Sequence, residues 1–216
     1  MGAGGPMSQQ VVYQDSQGIV LASDSRVMYI DGEAWQVAPS QKKIYSLGPD
    51  ACISSVGEAV GVTLSQQFQE RVRERGWTEL LDIYAAAHDF LNRRYYRYLL
   101  QHYGWFRTHP AAFRLLYFVI AGYSRRLGEG KVFLLESKDH ELPFTLVPIG
   151  HVVTMPRVLT LEARLVAFQK RGASLEEVAA FCLEQMQLIA RREATVGGPY
   201  QVAVITASGV RFVEDW

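Results

Sequence analysis

The order in which strand-like and helix-like segments follow one another most constrains this fold. Up to Gly57, short apolar runs alternate with turn signals, as in consecutive antiparallel strands. The apolar period then becomes helical over two segments, from Glu58 to about Arg75 and from Thr78 to Leu100. Strand-like runs return, followed by two more helical segments and further strands. Because helices come in pairs between groups of strands, this order predicts α+β layers, with two antiparallel sheets packed face to face and helix pairs outside.

Local signals mark the boundaries of these segments. Gly76 lies where the first helix should end, and "HYGWFRTHP" is predicted to be a loop. The later helices are predicted from about Thr160 to Lys170 and from a capping box that opens at Ser174. The strand signals include the hairpin linker "QDSQG", the Asp31-Gly32 turn and the runs "KKIYSL", "ACISSVG", "LLYFVIAGYS", "KVFLLES", "PFTLVPIG", "VGGPYQVAVIT" and "GVRFVE".

Composition narrows the class of protein. The chain has 216 residues, 49% of them apolar, and equal numbers of basic and acidic residues, 22 each. A net charge of zero argues against a nucleic-acid or membrane partner, and we expect a cytoplasmic protein.

Cys52 and Cys182 lie far apart, as expected of reduced, buried thiols. The histidines have no metal-ligand spacing and there is no phosphate-binding loop, so neither a metal nor a cofactor is expected. We predict a leader-like segment over 1–7 and a single domain over 8–216.

Polar residues at one strand end point to chemistry. In "GIVLASDSRV" an apolar strand ends in Asp24, Ser25 and Arg26, which a plain core strand does not need. When a residue with a hydroxyl group becomes the new N-terminus, its α-amine can act as the base for that hydroxyl. Such a site also needs a cation that lowers the pKa of the hydroxyl, a carboxylate that holds the cation, and a backbone N–H that stabilises the oxyanion. Strand-end residues could supply these groups: Ser8, Lys43, Asp24 and Gly57. Alternatively, such charges simply cap the strands.

Several strings in order resemble a known family. "GIVLASDSR", "QKKIYSLG", "CISSVG", "FVIAGYS" and "VGGPYQVAVIT" are together similar to N-terminal nucleophile hydrolases of the proteasome β-subunit type, in the manner of a bacterial proteasome-like homologue. The resemblance implies a four-layer αββα sandwich. It implies Ser8 as nucleophile, where the family usually has threonine, Asp24 paired with the catalytic Lys43, and Gly57 in the oxyanion hole. It also implies that Glu193 stands where a late aspartate supports the site.

The chain departs from the family pattern at secondary positions. Ile149 matches a serine near the α-amine, and Val196 matches the serine of a Ser-Gly-Gly turn. The segment between Asp24 and Lys43 is also longer than in the family. Isoleucine and valine side chains cannot form hydrogen bonds, so the supporting set is incomplete while the primary set is kept.

The function expected from this resemblance is peptide-bond hydrolysis. Substrates would be peptides or proteins. The family implies a homo-oligomeric ring, for which the aromatic helix from Thr78 to Leu100 is a candidate interface, and an ATPase or another assembly partner is possible. Two alternatives remain open. One is a catalytically silent, ring-forming or binding protein that keeps its leader, and the other is a hydrolase of small amides.

Overall fold

The computed structural model describes residues 8–31, 34–109 and 114–214, and the following bounds belong to these ranges. The strands are β1 Gln10–Gln14, β2 Ile19–Ser23, β3 Val27–Asp31, β4 Ala34–Ala38, β5 Ile44–Ser46, β6 Ala51–Gly57, β7 Leu115–Ser124, β8 Glu129–Lys138, β9 Thr145–Val147, β10 Val152–Met155, β11 Gln201–Thr206 and β12 Gly209–Glu214. The helices are α1 Val60–Arg75, α2 Leu80–Gln101, α3 Tyr103–Thr108, α4 Leu159–Lys170 and α5 Leu175–Ala190. The chain is thus a mixed α+β protein, and its strand pairings are antiparallel.

The first sheet carries the residues that follow β2. Its strand order is β10-β1-β2-β11-β12. All five residues of β2 are buried, because elements pack on both faces of this strand. The predicted hairpin between β1 and β2 is confirmed, and the Asp15 carboxylate accepts hydrogen bonds from the N–H groups of Gln17 and Gly18 in its turn. In the register of this sheet, Ser23 lies opposite both Gln10 and Gln201.

The second sheet has the order β5-β6-β7-β8-β9, and a separate two-stranded sheet is formed by β3 and β4. The start of β5 and the end of β6 lie at the same end of the second sheet, since Ile44 pairs with Ser54 and Ser46 with Cys52. The β3–β4 hairpin is confirmed by the pairing of Asp31 with Ala34, while Gly32 of its predicted turn lies outside the described residues. The leader-like segment 1–7 also lies outside them.

Three apolar clusters hold these elements together. The first joins α1 and α2 to the second sheet, for example through Phe68, Leu91 and Phe118. The second contains side chains of both sheets, among them Leu21 and Val119. The third joins α4 and α5 to the first sheet; its buried members on these elements include Val11, Val20, Leu165, Val178 and Cys182. Each sheet therefore contributes to two clusters, one on the side of its helices and one shared with the other sheet.

Helix predictions were largely confirmed, and two segments differ. The capping box at Ser174 is present, and α4 ends at Lys170 as predicted. The predicted loop "HYGWFRTHP" instead contains α3, because Phe106 is buried against the rings of Tyr98 and His140. The single strand predicted for "PFTLVPIG" is only β9, and the next strand, β10, belongs to the other sheet because it pairs with β1.

None of the helices in the described ranges is both long and apolar enough to cross a bilayer.

Candidate active site

The Asp24 carboxylate is the most completely bound polar group at the end of β2. Its side chain is fully buried. Oδ1 accepts a hydrogen bond from the backbone N–H of Gln9 at 3.1 Å and one from Lys43 Nζ at 3.0 Å. Oδ2 accepts from the backbone N–H groups of Arg26 and Gly197, each at 3.2 Å. These contacts fix both oxygens, so the carboxylate has one defined orientation toward Lys43.

Lys43 lies directly before β5 and is only 2% exposed. Its Nζ atom donates to Asp24 Oδ1 at 3.0 Å, to the hydroxyl oxygen of Ser8 at 2.5 Å and to the backbone carbonyl of Arg26 at 2.5 Å. An ammonium group has three donors, so each has an acceptor here. The amine is therefore aimed at Ser8 Oγ by two other contacts.

Burial and charge act in opposite directions on this pair. Burial lowers the pKa of Lys43, and the attraction and hydrogen bond of Asp24 act against that shift. Burial likewise raises the pKa of Asp24, against the attraction of Lys43 and the hydrogen bonds that the carboxylate accepts. Each group thus depends on the other to keep its charge. A positive charge this close to a hydroxyl oxygen also favours the alkoxide form of Ser8.

Ser8 is half-buried and lies two residues before β1. The next residue, Gln9, is tied to Asp24 twice, because its N–H donates to the carboxylate and its carbonyl accepts from the Asp24 N–H at 3.1 Å. Antiparallel pairing of β1 with β2 places the residues before Gln10 beside those after Ser23. The hairpin therefore brings Ser8 to Asp24, and the second sheet contributes Lys43.

Gly57 ends β6 at the same end of the second sheet as Lys43. Its φ angle is +111°, a conformation that side chains disfavour. A Cβ atom at this position would also collide with the backbone carbonyl of Leu115. Within the described part of the chain, no hydrogen bond joins Gly57 to Ser8.

Arg26 connects the strand end to the loop that follows α5. One of its guanidinium nitrogens donates to the carbonyl of Ala194 at 2.6 Å. The guanidinium also lies against Gly197, where an added Cβ atom would come within 2.5 Å of it. The backbone N–H of Ser25 donates to the Gly197 carbonyl at 3.0 Å. Ser25 and Arg26 thus hold this loop so that the Gly197 N–H reaches Asp24.

The secondary positions do not join the cluster of Ser8, Asp24 and Lys43. Glu193 is exposed, and its carboxylate makes no hydrogen bond to any residue of the described ranges. Val196 is buried, and Ile149 packs against the cluster between the sheets. The structure thus brings three of the five predicted site residues into hydrogen-bond contact, places Gly57 at the same sheet end, and leaves Glu193 at the surface.

Some residues that build the site carry little or no signal in the sequence. The contribution of Gln9 is its backbone N–H, which any residue other than proline provides. Gly197 is marked only by the Gly-Gly pair, and its need to be small comes from Arg26. Gln201 holds the backbone of Lys43, and nothing in the local sequence distinguishes it from other glutamines in strands.

No family model matches this chain, and no curated protein matches it.

Proposed function

We propose that this chain is an N-terminal nucleophile hydrolase of the proteasome β-subunit type that cleaves peptide bonds. The observation that carries this proposal is the position of the Lys43 amine, 2.5 Å from Ser8 Oγ and 3.0 Å from Asp24 Oδ1. A hydroxyl, a buried cation and a buried carboxylate in this order match the requirements of an activated nucleophile. The ordered strings that resemble the family supply the reaction class.

The arrangement of the core supports the corresponding fold, a four-layer αββα sandwich. One cluster lies between α1, α2 and the second sheet, one contains residues of both sheets, and one lies between the first sheet and α4, α5. The layer order under this proposal is a helix pair, two sheets and a second helix pair.

The proposed reaction begins once cleavage between Met7 and Ser8 frees the α-amine of Ser8. This amine takes the proton of the Ser8 hydroxyl through a water molecule, and Oγ attacks the carbonyl carbon of the peptide bond. The Lys43 charge stabilises the developing alkoxide, and the Gly57 N–H is the proposed donor to the oxyanion. The C–N bond then breaks, and the leaving amine receives the proton. Water hydrolyses the resulting ester, which releases the acid and restores the Ser8 hydroxyl.

The test combines the mass of the protein with the kinetics of variants. The intact mass and the N-terminal residue of the purified protein report whether Ser8 is exposed, and fluorogenic peptide and small-amide panels report turnover. We expect Ser8→Ala to lower kcat at least about 100-fold, because it removes the attacking oxygen. Ser8→Thr should retain turnover, since it keeps the hydroxyl.

Ser208→Ala, in an exposed turn, is the control and should behave as the unchanged protein. Full turnover by Ser8→Ala would overturn the assignment of the nucleophile. Turnover of the small amides alone would replace the peptidase by an amidohydrolase of small substrates.

A catalytically silent protein of the same fold is the second candidate. It is favoured by the apolar side chains at Ile149 and Val196 and by the exposed position of Glu193, because these leave the proposed α-amine without the family's supporting groups. A purified chain that keeps residues 1–7 and shows no turnover on either panel would support this candidate.

Assembly into a homo-oligomeric ring is part of the proposal, as is a cytoplasmic location with an ATPase or other assembly partner. Support for an interface comes from large apolar side chains exposed along α2 and α3: Tyr96, Leu100, Tyr103 and Trp105. Native mass spectrometry of the same sample gives the number of subunits, and a monomer would remove the ring from the proposal.

A further inference from the structure

Gln201 connects the two sheets at the candidate site. It is the first residue of β11 in the first sheet and is fully buried. Its side-chain oxygen accepts hydrogen bonds from the backbone N–H groups of Lys43 at 2.7 Å and Ile44 at 3.0 Å. Its side-chain nitrogen donates to the Ile44 carbonyl at 3.3 Å. One amide therefore binds three backbone groups at the start of β5.

These three contacts determine where the backbone of Lys43 lies. Successive N–H groups of a regular strand point to opposite edges, so two of them meet on one oxygen only where strand geometry is irregular, as it is here, where β5 begins after Lys43. The backbone of Gln201 pairs with Ser23, the residue before Asp24. A single residue is thus attached to the strand that leads into Asp24 and to the segment that carries Lys43.

We infer that Gln201 is a positioning residue that sets the distance between Lys43 and the pair Asp24 and Ser8. The inference rests on the proposed function, because it concerns how the amine reaches the nucleophile. Gln201 contacts the backbone of Lys43, so it acts through that residue and does not touch substrate. Without its amide, two backbone N–H groups at this buried start of β5 lose an acceptor, and the segment has to move to find others.

The experiment measures kcat and KM of Gln201→Leu on the best peptide of the fluorogenic panel. We expect kcat to fall about 100-fold, because a shift of about 1 Å in a catalytic group can have this effect. KM should stay within about twofold, since the fully buried Gln201 side chain is not accessible to a peptide. The rate at which phenylmethanesulfonyl fluoride labels Ser8, followed by intact mass, should fall with kcat, because it depends on the same activated hydroxyl.

Gln69→Leu is the matched control. The Gln69 side chain also binds the backbone of β5, donating to the Ser46 carbonyl at 2.8 Å, but at the other end of that strand. We expect this variant to lose stability while kcat and the labelling rate stay within about threefold. Gln201→Asn keeps the amide on a side chain that is one methylene shorter and cannot reach the same backbone groups, so it should lower kcat in the same way as Gln201→Leu. It takes the place of Gln201→Leu in the test if the leucine variant does not fold.

The outcomes separate this inference from the proposed function. If Ser8→Ala abolishes turnover while folded Gln201→Leu and Gln201→Asn keep full kcat and labelling, Gln201 has no positioning role and the nucleophile assignment stands. If Gln69→Leu lowers kcat as much as Gln201→Leu, the effect belongs to β5 in general and the inference is wrong. If Ser8→Ala keeps full turnover, the proposed function itself fails.

Discussion

Replacing Asp24 by asparagine tests whether the buried pair is charged. The asparagine side chain keeps one oxygen but has an NH2 group in place of the other. This NH2 group is a donor, and it would face either backbone N–H groups or the Lys43 amine, which are donors as well. The lysine also loses its counter-charge while remaining 2% exposed. In the folded variant, releasing the Lys43 proton requires less free energy than keeping it, because an unpaired ammonium inside a protein is unstable.

The free energy of that deprotonation can be worked out from the ordinary pKa of lysine, 10.5. At about pH 7.5, roughly three units lower, neutral Lys43 costs about 4 kcal/mol, since each unit is worth about 1.4 kcal/mol. Unfolding would return the proton, because the unfolded lysine has its ordinary pKa. The free energy of unfolding of Asp24→Asn should therefore rise with pH, by about 1.4 kcal/mol per unit up to about pH 9.5.

Urea denaturation at several pH values measures this dependence. The matched control is the double variant Asp24→Asn/Lys43→Met, which lacks the amine. It should show none of the added pH dependence and, because no lysine has to be deprotonated, should be up to about 4 kcal/mol more stable than Asp24→Asn at about pH 7.5. The reasoning would be refuted if Asp24→Asn lowered the free energy of unfolding by less than about 1 kcal/mol relative to the unchanged protein at about pH 7.5. It would also be refuted if the free energy of unfolding of both variants changed with pH by the same amount.

Two further predictions concern stability away from the site. Burial raises the pKa of Glu162, but hydrogen bonds from Arg157 and Thr154 outweigh it and hold that pKa below its usual value. A carboxylate of lowered pKa stabilises the fold above its ordinary pKa. In urea titrations the free energy of unfolding of the unchanged protein should therefore exceed that of Glu162→Gln by about 1 kcal/mol, a small value because solvent screens the exposed Arg157. This difference should vanish as the pH falls below about 4. Tyr95→Phe removes a buried hydroxyl that donates to Glu58 Oε1 at 2.8 Å, so it should lower the unfolding free energy by about 1–3 kcal/mol. The control, Tyr96→Phe at an exposed position, should change that free energy by less than about 0.5 kcal/mol. Equal changes in the two variants would refute the role of this hydrogen bond.

Local patterns in the sequence determined most of the secondary structure. The buried face of a helix shows in the sequence as apolar residues that recur with the helical period within one segment. The capping box at Ser174 is also local, because it satisfies backbone donors within the same turn. The two early hairpins follow from turn residues between adjacent apolar runs. The strand end at Asp24 was visible as well, because three polar residues there interrupt a buried run.

Elements whose stability depends on distant partners were harder to predict. The helix α3 exists because Phe106 finds a buried place beside Tyr98 and His140, which its own sequence does not indicate. The strand β10 needs β1 as its partner, and the two are separated by most of the chain. Their conformations were decided by tertiary packing, which overrides local preference.

The candidate site divides in the same way. The sequence by itself marked Ser8, Asp24, Lys43 and Gly57, because each stands beside a strand that local periodicity reveals. Only the tertiary structure decided which of them meet: the register of β1 on β2 brings Ser8 to Asp24, and the packing of the two sheets brings Lys43 between them. It also brought in Gln201, since a hydrogen bond between residues 158 positions apart leaves no trace in the pattern around either one.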